Sequence, residues 1–517
     1  MHTHTYDEFP YLCLIRPDIH PSNLATLATL FNLQPPPVET GRILELGCGN
    51  GINLIATAQS LPQAQCLGID YSVRQIADGQ QIIDEVGLSN VTLKSLDILE
   101  FDERFGIFDY IVIHGVYSWV AEKVQEKLLS ICQQHLSPKG IAYISYNTYP
   151  AWHINQIMRD MMQFYHVQQF NDLTVRPLET KQLLKFAVEV NQNNHDAYSI
   201  LLQEQLERLL KSDADNYLRH DLLESENNPI YFYQFVERAR QHQLEYVTDV
   251  KFRDTSQSLI EIIEQLFKGT WVAHEQYLDF LLNRKLRMTL LCRQGITVNR
   301  QLDSQLLPRF YLAATPFLQQ FNIYSHEATN LPFPNGKAIS ITEPLTKAVL
   351  AHLINIYPCN IAFEELFNPA STFIEEPTDE LKQTLATELL SLYRAEVISL
   401  NVHPTQSFTT TIRDYPTISP LARWQASQGQ TIIVNLLGQL GQLDEFICQL
   451  LPHLNGENNR EALLKIMAGL VKELNLTFKW SEQEIPVNQL SEIELHDILH
   501  SYLDETLPII AKNALLI

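Results

Sequence analysis

"LELGCGNG", residues 44 to 51, sets Gly47, Gly49 and Gly51 within five positions behind an apolar run. Glycine at such a junction adopts positive φ and carries no Cβ to hold a ligand off the backbone. With a helix starting at Ile52, unpaired N–H groups stand beside the turn, which can then cradle a phosphate, a nucleoside or nothing. "LGID" closes on Asp70, 19 positions after Gly51, where a carboxylate can accept from both hydroxyls of an adenosine ribose. Dinucleotide sites also place an acid there, but the spacing here is G-x-G-x-G, with Glu45 in front. Further on, His114, Tyr117 and Trp119 follow one apolar run, and Tyr146, Asn147, Tyr149 and Trp152 close another. A histidine is a candidate base, and aromatic faces hold an ammonium by cation–π attraction.

These groups need elements to position them, and the pattern supplies alternating strands and helices. Residues 42–46, 64–70, 90–98, 108–116 and 141–147 read as strands, with helices from 52, over 72–87 and over 120–136. Such alternation implies a parallel sheet covered on both faces, with ligands at the carboxyl ends of its strands. From about 151 to 225 only helical spacing remains, an insertion, and strand character returns at "LEYVTDV" (244–250) and "RMTLLCR" (287–293), which could complete the same sheet. Residues 344–402 then give helices and a terminal apolar strand, the order of a winged-helix unit. "HPTQSFTTTIRDYPTISP" (403–420) reads as a linker, and 443–517 repeats the helix, helix, apolar-end order.

The 517 residues suit two to four domains, and the net charge of −23 argues against a sequence-independent nucleic-acid binder or an anionic membrane partner. The helices of the winged units carry mainly Glu, Asp, Gln and Asn, which repel phosphate and favour protein contacts. Seven scattered cysteines form no CxxC, so neither a disulfide framework nor a zinc site is expected. The N-terminus lacks a basic-then-apolar leader pattern and no uninterrupted apolar run is long enough to span a bilayer, so a cytoplasmic protein without membrane insertion is expected. His2 and His4 at the N-terminus read as incidental rather than as metal ligands.

With Glu45, Gly47, Gly49 and Gly51 matching E/D-x-G-x-G-x-G, Asp70 ending the second strand and Asp97 in "SLDI", the chain resembles the class I S-adenosylmethionine-dependent methyltransferases. The resemblance implies an α/β fold with a Rossmann-like seven-stranded sheet, a helical insertion and α-rich winged-helix-like C-terminal domains. It implies S-adenosylmethionine as cofactor, without a metal, contacted by Glu45, Gly47, Cys48, Gly49, Gly51, Asp70, Tyr71, Asp97, Ile98 and His114. "YDEFPYLCLIRPDIHP", "HGVYSWV", "YISYNTYPAWH" and the stretches 217–250 and 277–293 further resemble a bacterial subfamily that carries a methyltransferase regulatory domain. That subfamily includes protein lysine methyltransferases acting on outer-membrane proteins, which implies a protein acceptor and transfer to lysine nitrogen. "RPDIHP" departs from the subfamily's more usual F-x-x-T-H-P.

The expected division is 1–160 for an N-terminal lid and cofactor core, 161–300 for the insertion and regulatory region, 301–405 and 426–517 for winged-helix-like units, and 406–425 for a linker. Tyr117, His114, Tyr146 and Tyr149 are the catalytic candidates, and Tyr6, Tyr11, Trp119, Asn147 and Trp152 the candidates for the acceptor pocket. No "NPPY"-type tetrapeptide follows the fourth strand; "HGVY" stands there. A small-metabolite methyltransferase and a cofactor-binding scaffold are the alternative readings.

Overall fold

The computed structural model describes residues 13–170, 177–211, 221–321, 323, 329–332, 338–367, 378–405, 408–474, 477–480 and 483–517. A short helix, Pro21–Leu30 (α1), precedes five parallel strands and their crossover helices: Arg42–Leu46 (β1), Ile52–Ser60 (α2), Gln65–Asp70 (β2), Val73–Val86 (α3), Val91–Ser95 (β3), Phe108–Ile113 (β4), Glu122–His135 (α4) and Leu136–Asn147 (β5). Helices Ala151–Phe170 (α5), Pro177–Asn191 (α6) and Ala197–Lys211 (α7) form the insertion, packed on their own cluster of Met158, Met162, Leu184, Leu206 and Leu209.

The chain returns through Phe232–Gln241 (α8), Leu244–Asp249 (β6), Gln257–Leu266 (α9), Trp271–Leu282 (α10) and Leu286–Arg293 (β7). The sheet has seven strands in the order β3-β2-β1-β4-β5-β7-β6, with β7 antiparallel to both of its neighbours. The two strands beyond the insertion therefore complete the first sheet. Two strands end earlier than the sequence pattern suggests: β3 stops at Ser95, leaving Asp97 to cap a 3-10 turn, and β4 stops at Ile113, leaving His114 in the following loop.

Strand alternation divides the sheet between two cores. Ile43, Tyr110, Val112, Ile141 and Tyr143 face α1, α2 and α3. Leu44, Ile111, Ile113, Ala142, Ile144 and Tyr146 face α4 and α8. Both faces are thus apolar, as a covered parallel sheet requires. Ser72 caps α3 by accepting from the Gln75 N–H at 3.1 Å, and Gly87 ends it in the left-handed conformation that a Cβ would oppose.

The first core continues without a break into the next unit, through Leu307, Phe310 and Leu312 to Val349, Leu350, Leu389 and Ile398. That unit holds Tyr311–Ala314 (β8), the hairpin Thr329–Pro332 (β9) and Ala338–Ile341 (β10), Pro344–Ile356 (α11), Ile361–Ala362 (β11), Asp379–Arg394 (α12) and Ile398–Asn401 (β12), with β8 between β11 and β12. The stretch expected to be a linker instead runs into Pro420–Ser427 (α13), capped by Ser419 and started by a proline at its first position. Ile418, Leu421 and Ala422 are buried, and Ile418 bridges Leu516, so these residues belong to packed structure. The C-terminal unit adds the hairpin Ile432–Val434 (β13) and Leu440–Gln442 (β14), then Glu445–Leu450 (α14), Arg460–Glu473 (α15), the hairpin Thr477–Trp480 (β15) and Gln483–Pro486 (β16), and Glu492–Lys512 (α16).

Candidate active site

The glycine turn is built as its spacing requires. Gly47, Gly49 and Gly51 have φ of +72°, +59° and +71°, a conformation that disfavours every other L residue. Side chains there would also collide: a Cβ on Gly47 would sit 2.3 Å from Val116 Cγ2, and one on Gly49 2.3 Å from Cys13 Sγ. Gly51 starts α2, whose axis therefore begins at the turn. The Gly47 and Cys48 N–H groups donate to Ile69 O at 2.8 and 3.1 Å, and the Gly49 N–H donates to Asp70 Oδ2 at 2.7 Å. Asp70 Oδ1 accepts from the Ser72 N–H at 2.9 Å. The Asp70 carboxylate is thereby held at the edge of the glycine turn, the place expected of a ribose acceptor.

Other expected contacts spread around this turn. Tyr71 is half exposed beside Asp70, and Asp97 and Ile98 stand at the end of β3, where Asp97 Oδ1 accepts from the Leu99 N–H. The Cys48 side chain turns away into the core, where a Cβ on Gly68 would come within 2.8 Å of its Sγ, so only its backbone faces the turn. Glu45 lies buried beneath, accepting from Asn53 Nδ2 at 3.2 and 3.3 Å, while Asn53 Oδ1 accepts from the Arg16 N–H at 2.9 Å. Burial, opposed by the Asn53 hydrogen bond and reinforced by Asp70, pushes the Glu45 carboxyl up to about 7.

The N-terminal segment closes over the turn through residues that the motif does not include. Cys13 Sγ lies 3.2 Å from Gln75 Oε1 and 3.5 Å from the Asn50 N. Arg16 Nε is buried without a hydrogen-bond partner among the described residues, with Asp18 Oδ1 3.9 Å away. An orphaned guanidinium N–H beside a glycine cradle suits a carboxylate-bearing nucleoside such as S-adenosylmethionine. Tyr6 and Tyr11 fall outside the described residues.

At the ends of β4 and β5 the candidate acceptor groups separate. His114 Nδ1 pairs with the Tyr143 hydroxyl at 2.8 Å, and burial together with the nearby Arg16 charge lowers its pKa to about 3. It is a neutral hydrogen-bonding group with little capacity as a base. Tyr117 and Tyr146 are fully buried on the opposite face, packed on Phe235 with centroids 5.3 and 4.0 Å away. Both leave the acceptor pocket: alternation along β5 turns Tyr146 toward α8, and the turn after β4 drops Tyr117 into the same core.

Trp119 and Trp152 meet edge to face at 5.8 Å, and Arg159 lies over the Trp119 ring. Tyr149 stacks on His153 at 4.1 Å and leans on Tyr231 at 5.1 Å, while His153 Nε2 is 3.2 Å from the Tyr231 hydroxyl. Asn147 Nδ2 donates to Asn227 Oδ1 at 3.0 Å. Tyr231 and Asn227 were absent from the sequence-derived set, since they stand some 80 positions beyond β5. Among the described residues no group of three or more His, Cys, Asp or Glu side chains is placed to hold a metal ion, and no helix is long and apolar enough to cross a membrane.

Known proteins resemble this chain over most of its length. Successive family models match residues 38–213 (methyltransferase domain), 214–293 (predicted methyltransferase regulatory domain) and 414–515 (PKMT, C-terminal winged helix domain). The last begins before the expected linker ends, as the packing of α13 requires. The chain is 31% identical to the uncharacterized protein RP789 of Rickettsia prowazekii (strain Madrid E), over 99% of this chain and 93% of that one. It is 43% identical to RP028 of the same organism, over 46% of this chain and 94% of that one. Its fold superposes on PKMT2 from Rickettsia typhi with a TM-score of 0.82 at 29% identity, covering 98% of this chain and 100% of that chain, and PKMT2 has also been solved with AdoHcy. The chain thus belongs to the class I S-adenosylmethionine-dependent methyltransferases that carry a methyltransferase regulatory domain and a PKMT-type C-terminal winged helix, and S-adenosylmethionine is its cofactor.

Proposed function

We propose that this methyltransferase acts on a protein, at lysine nitrogen, in the cytoplasm. The observation that carries the reading is the wall at the carboxyl ends of β4 and β5, where Trp119, Trp152, Tyr149, His153 and Tyr231 gather in place of a strong base. Likeness to PKMT2 over the whole chain supports it.

In this reading the backbone of Gly47 to Gly51 and the Asp70 carboxylate hold the nucleoside, and the orphaned Arg16 Nε takes the methionine carboxylate. Bound there, S-adenosylmethionine supplies an electrophilic sulfonium methyl. The chain's own task is to present a neutral amine in line and keep water out. A lysine starts as an ammonium with a pKa of about 10.4. Aromatic faces first attract that cation and then desolvate it, which favours loss of the proton to water. His114, held neutral against Tyr143, fixes the loop after β4 and is not the proton acceptor. The freed lone pair forms the N–C bond as the S–C bond breaks.

The test is transfer of labelled methyl from S-adenosylmethionine into total protein from a bacterial lysate, with amines intact or acetylated. Label recovered as methyl-lysine and abolished by acetylation is expected. Label that survives acetylation, or that enters only small molecules, rejects the lysine reading.

A further inference from the structure

Residues 221–231, which link the insertion to α8, form a fixed wall across the ends of β4 and β5. Arg159 donates to the carbonyls of Asp221 and Glu224. The Asn228 N–H donates to Ser118 O at 2.6 Å and its side-chain amide to Val120 O at 3.1 Å. The Ile230 N–H donates to Asn147 O at 3.1 Å, and Thr148 Oγ1 returns a hydrogen bond to Ile230 O at 2.8 Å. Backbone groups along this contact are therefore well satisfied.

One pair of amides in the same wall is not. Asn147 Nδ2 donates to Asn227 Oδ1, which turns Asn147 Oδ1 away from that contact and leaves Asn227 Nδ2 buried without a partner among the described residues. A buried unpaired amide is uncommon in a folded protein. Asn147 stands two residues before Tyr149 and Asn227 four before Tyr231, so the pair belongs to the ring wall of Tyr149, His153 and Tyr231, where the acceptor is to lie.

We infer that Asn227 is a positioning residue for the acceptor: it fixes the Asn147 amide so that Asn147 Oδ1 accepts an N–H of the incoming amine and orients the nitrogen lone pair. The inference rests on the amine reading above and deepens it. A neutral amide suits the task because it binds the N–H without stabilising the ammonium, whereas a carboxylate at the same distance would favour the charged form and raise the amine's pKa.

The experiment uses the full chain and its Asn227→Ala and Asn227→Asp variants, with labelled S-adenosylmethionine, native or acetylated bacterial protein, and S-adenosylhomocysteine as the binding probe. Asn227→Ala should lower kcat/KM for native protein about tenfold or more, the scale of one oriented hydrogen bond, with S-adenosylhomocysteine affinity unchanged. Asn227→Asp keeps the hydrogen bond to Asn147 and adds a charge, so the alkaline rise in kcat/KM should move upward by about one pH unit. Wild-type kinetics and pH profile in both variants would overturn the inference, as would parallel losses of product affinity and turnover. Label that survives acetylation in the wild type would instead reject the amine reading itself.

Discussion

Gly79 lies in the middle of α3, where sequence logic favours alanine: glycine costs a helix interior about 1 kcal/mol. The fold reverses that sign. A Cβ on Gly79 would lie 2.2 Å from Asn50 O and 2.5 Å from Leu93 Cδ1. Asn50 O is backbone of the cofactor turn, held between Gly49 and Gly51, so it cannot swing aside as a side chain would. Reaching ordinary contact requires α3 or the turn to retreat by about 1 Å, and overpacking of this kind costs about 1–3 kcal/mol. Set against the propensity gain, Gly79→Ala should lose up to about 2 kcal/mol, visible as a fall of a few degrees in Tm. The displaced turn also misplaces the backbone that holds the cofactor, so S-adenosylhomocysteine should bind about tenfold more weakly, the equivalent of one hydrogen bond. Calorimetric titration and thermal melts measure both. Gly469 in α15 is the control, because a Cβ there meets nothing within 4 Å; Gly469→Ala should gain up to about 1 kcal/mol. If Gly79→Ala melts above the wild type and binds product with wild-type affinity, the proposed approach of α3 to the turn is wrong.

Asp70→Ala removes the acceptor of both the Gly49 and Ser72 N–H groups as well as the ribose ligand, and S-adenosylhomocysteine affinity should fall about a hundredfold, the sum of two or more hydrogen bonds; an unchanged titration would exclude Asp70 from the site. The Glu45 carboxyl is raised from 4.5 to about 7 by burial, so the folded protein holds a proton that the unfolded chain has released, and the stability this brings is full below about pH 4.5 and lost as pH rises to about 7. Glu45→Gln should remove that loss, worth about 3 kcal/mol, and parallel urea midpoints for variant and wild type across this window would refute it. Arg287 is fully buried, with Nη2 2.7 Å from Asp279 Oδ1 and Nη1 2.9 Å from Glu275 Oε2, so Arg287→Met should strand these carboxylates and cost about 3–5 kcal/mol, loosening α10 from β7. A denaturation midpoint near the wild type would show that the network is less tightly coupled than its geometry implies.

Elements whose signal is local were readable in the sequence. The glycine turn, Asp70 and the five parallel strands follow from spacing and apolar runs, and the apolar stretches at 244–250 and 287–293 were recognisable as strands, found at Leu244–Asp249 and Leu286–Arg293. Which face a strand-end residue takes was less accessible, because Tyr143, hydrogen-bonded to His114, and Tyr146 in the opposite core lie an odd number of positions apart on one strand, and a shift of one would exchange their faces. Asn227 and Tyr231 escaped because no local pattern ties them to the strand ends. "NNPIY", residues 227–231, lies far along the chain, and the fold carries it back to the end of β5. Ser419-Pro420 carried a helix-start signal that the surrounding threonines and prolines obscured.

The C-terminal unit touches the cofactor site through the two helices that frame it. α2 begins at Gly51, and at its far end Gln59 Oε1 accepts from the Leu421 N–H at 2.9 Å. α3 follows Asp70 and Ser72, and near its far end Glu85 Oε2 accepts from Trp424 Nε1 at 2.8 Å. A single short helix, α13, therefore grips both helices at the ends opposite the cofactor. The glycine turn and the Asp70 loop thus stand at the near ends of two helices whose far ends share one anchor. This geometry ties the winged unit to the cofactor-binding helices without contact with the cofactor turn itself, and the surface that does so, on a helix whose only basic residue is Arg423, meets protein within the same chain.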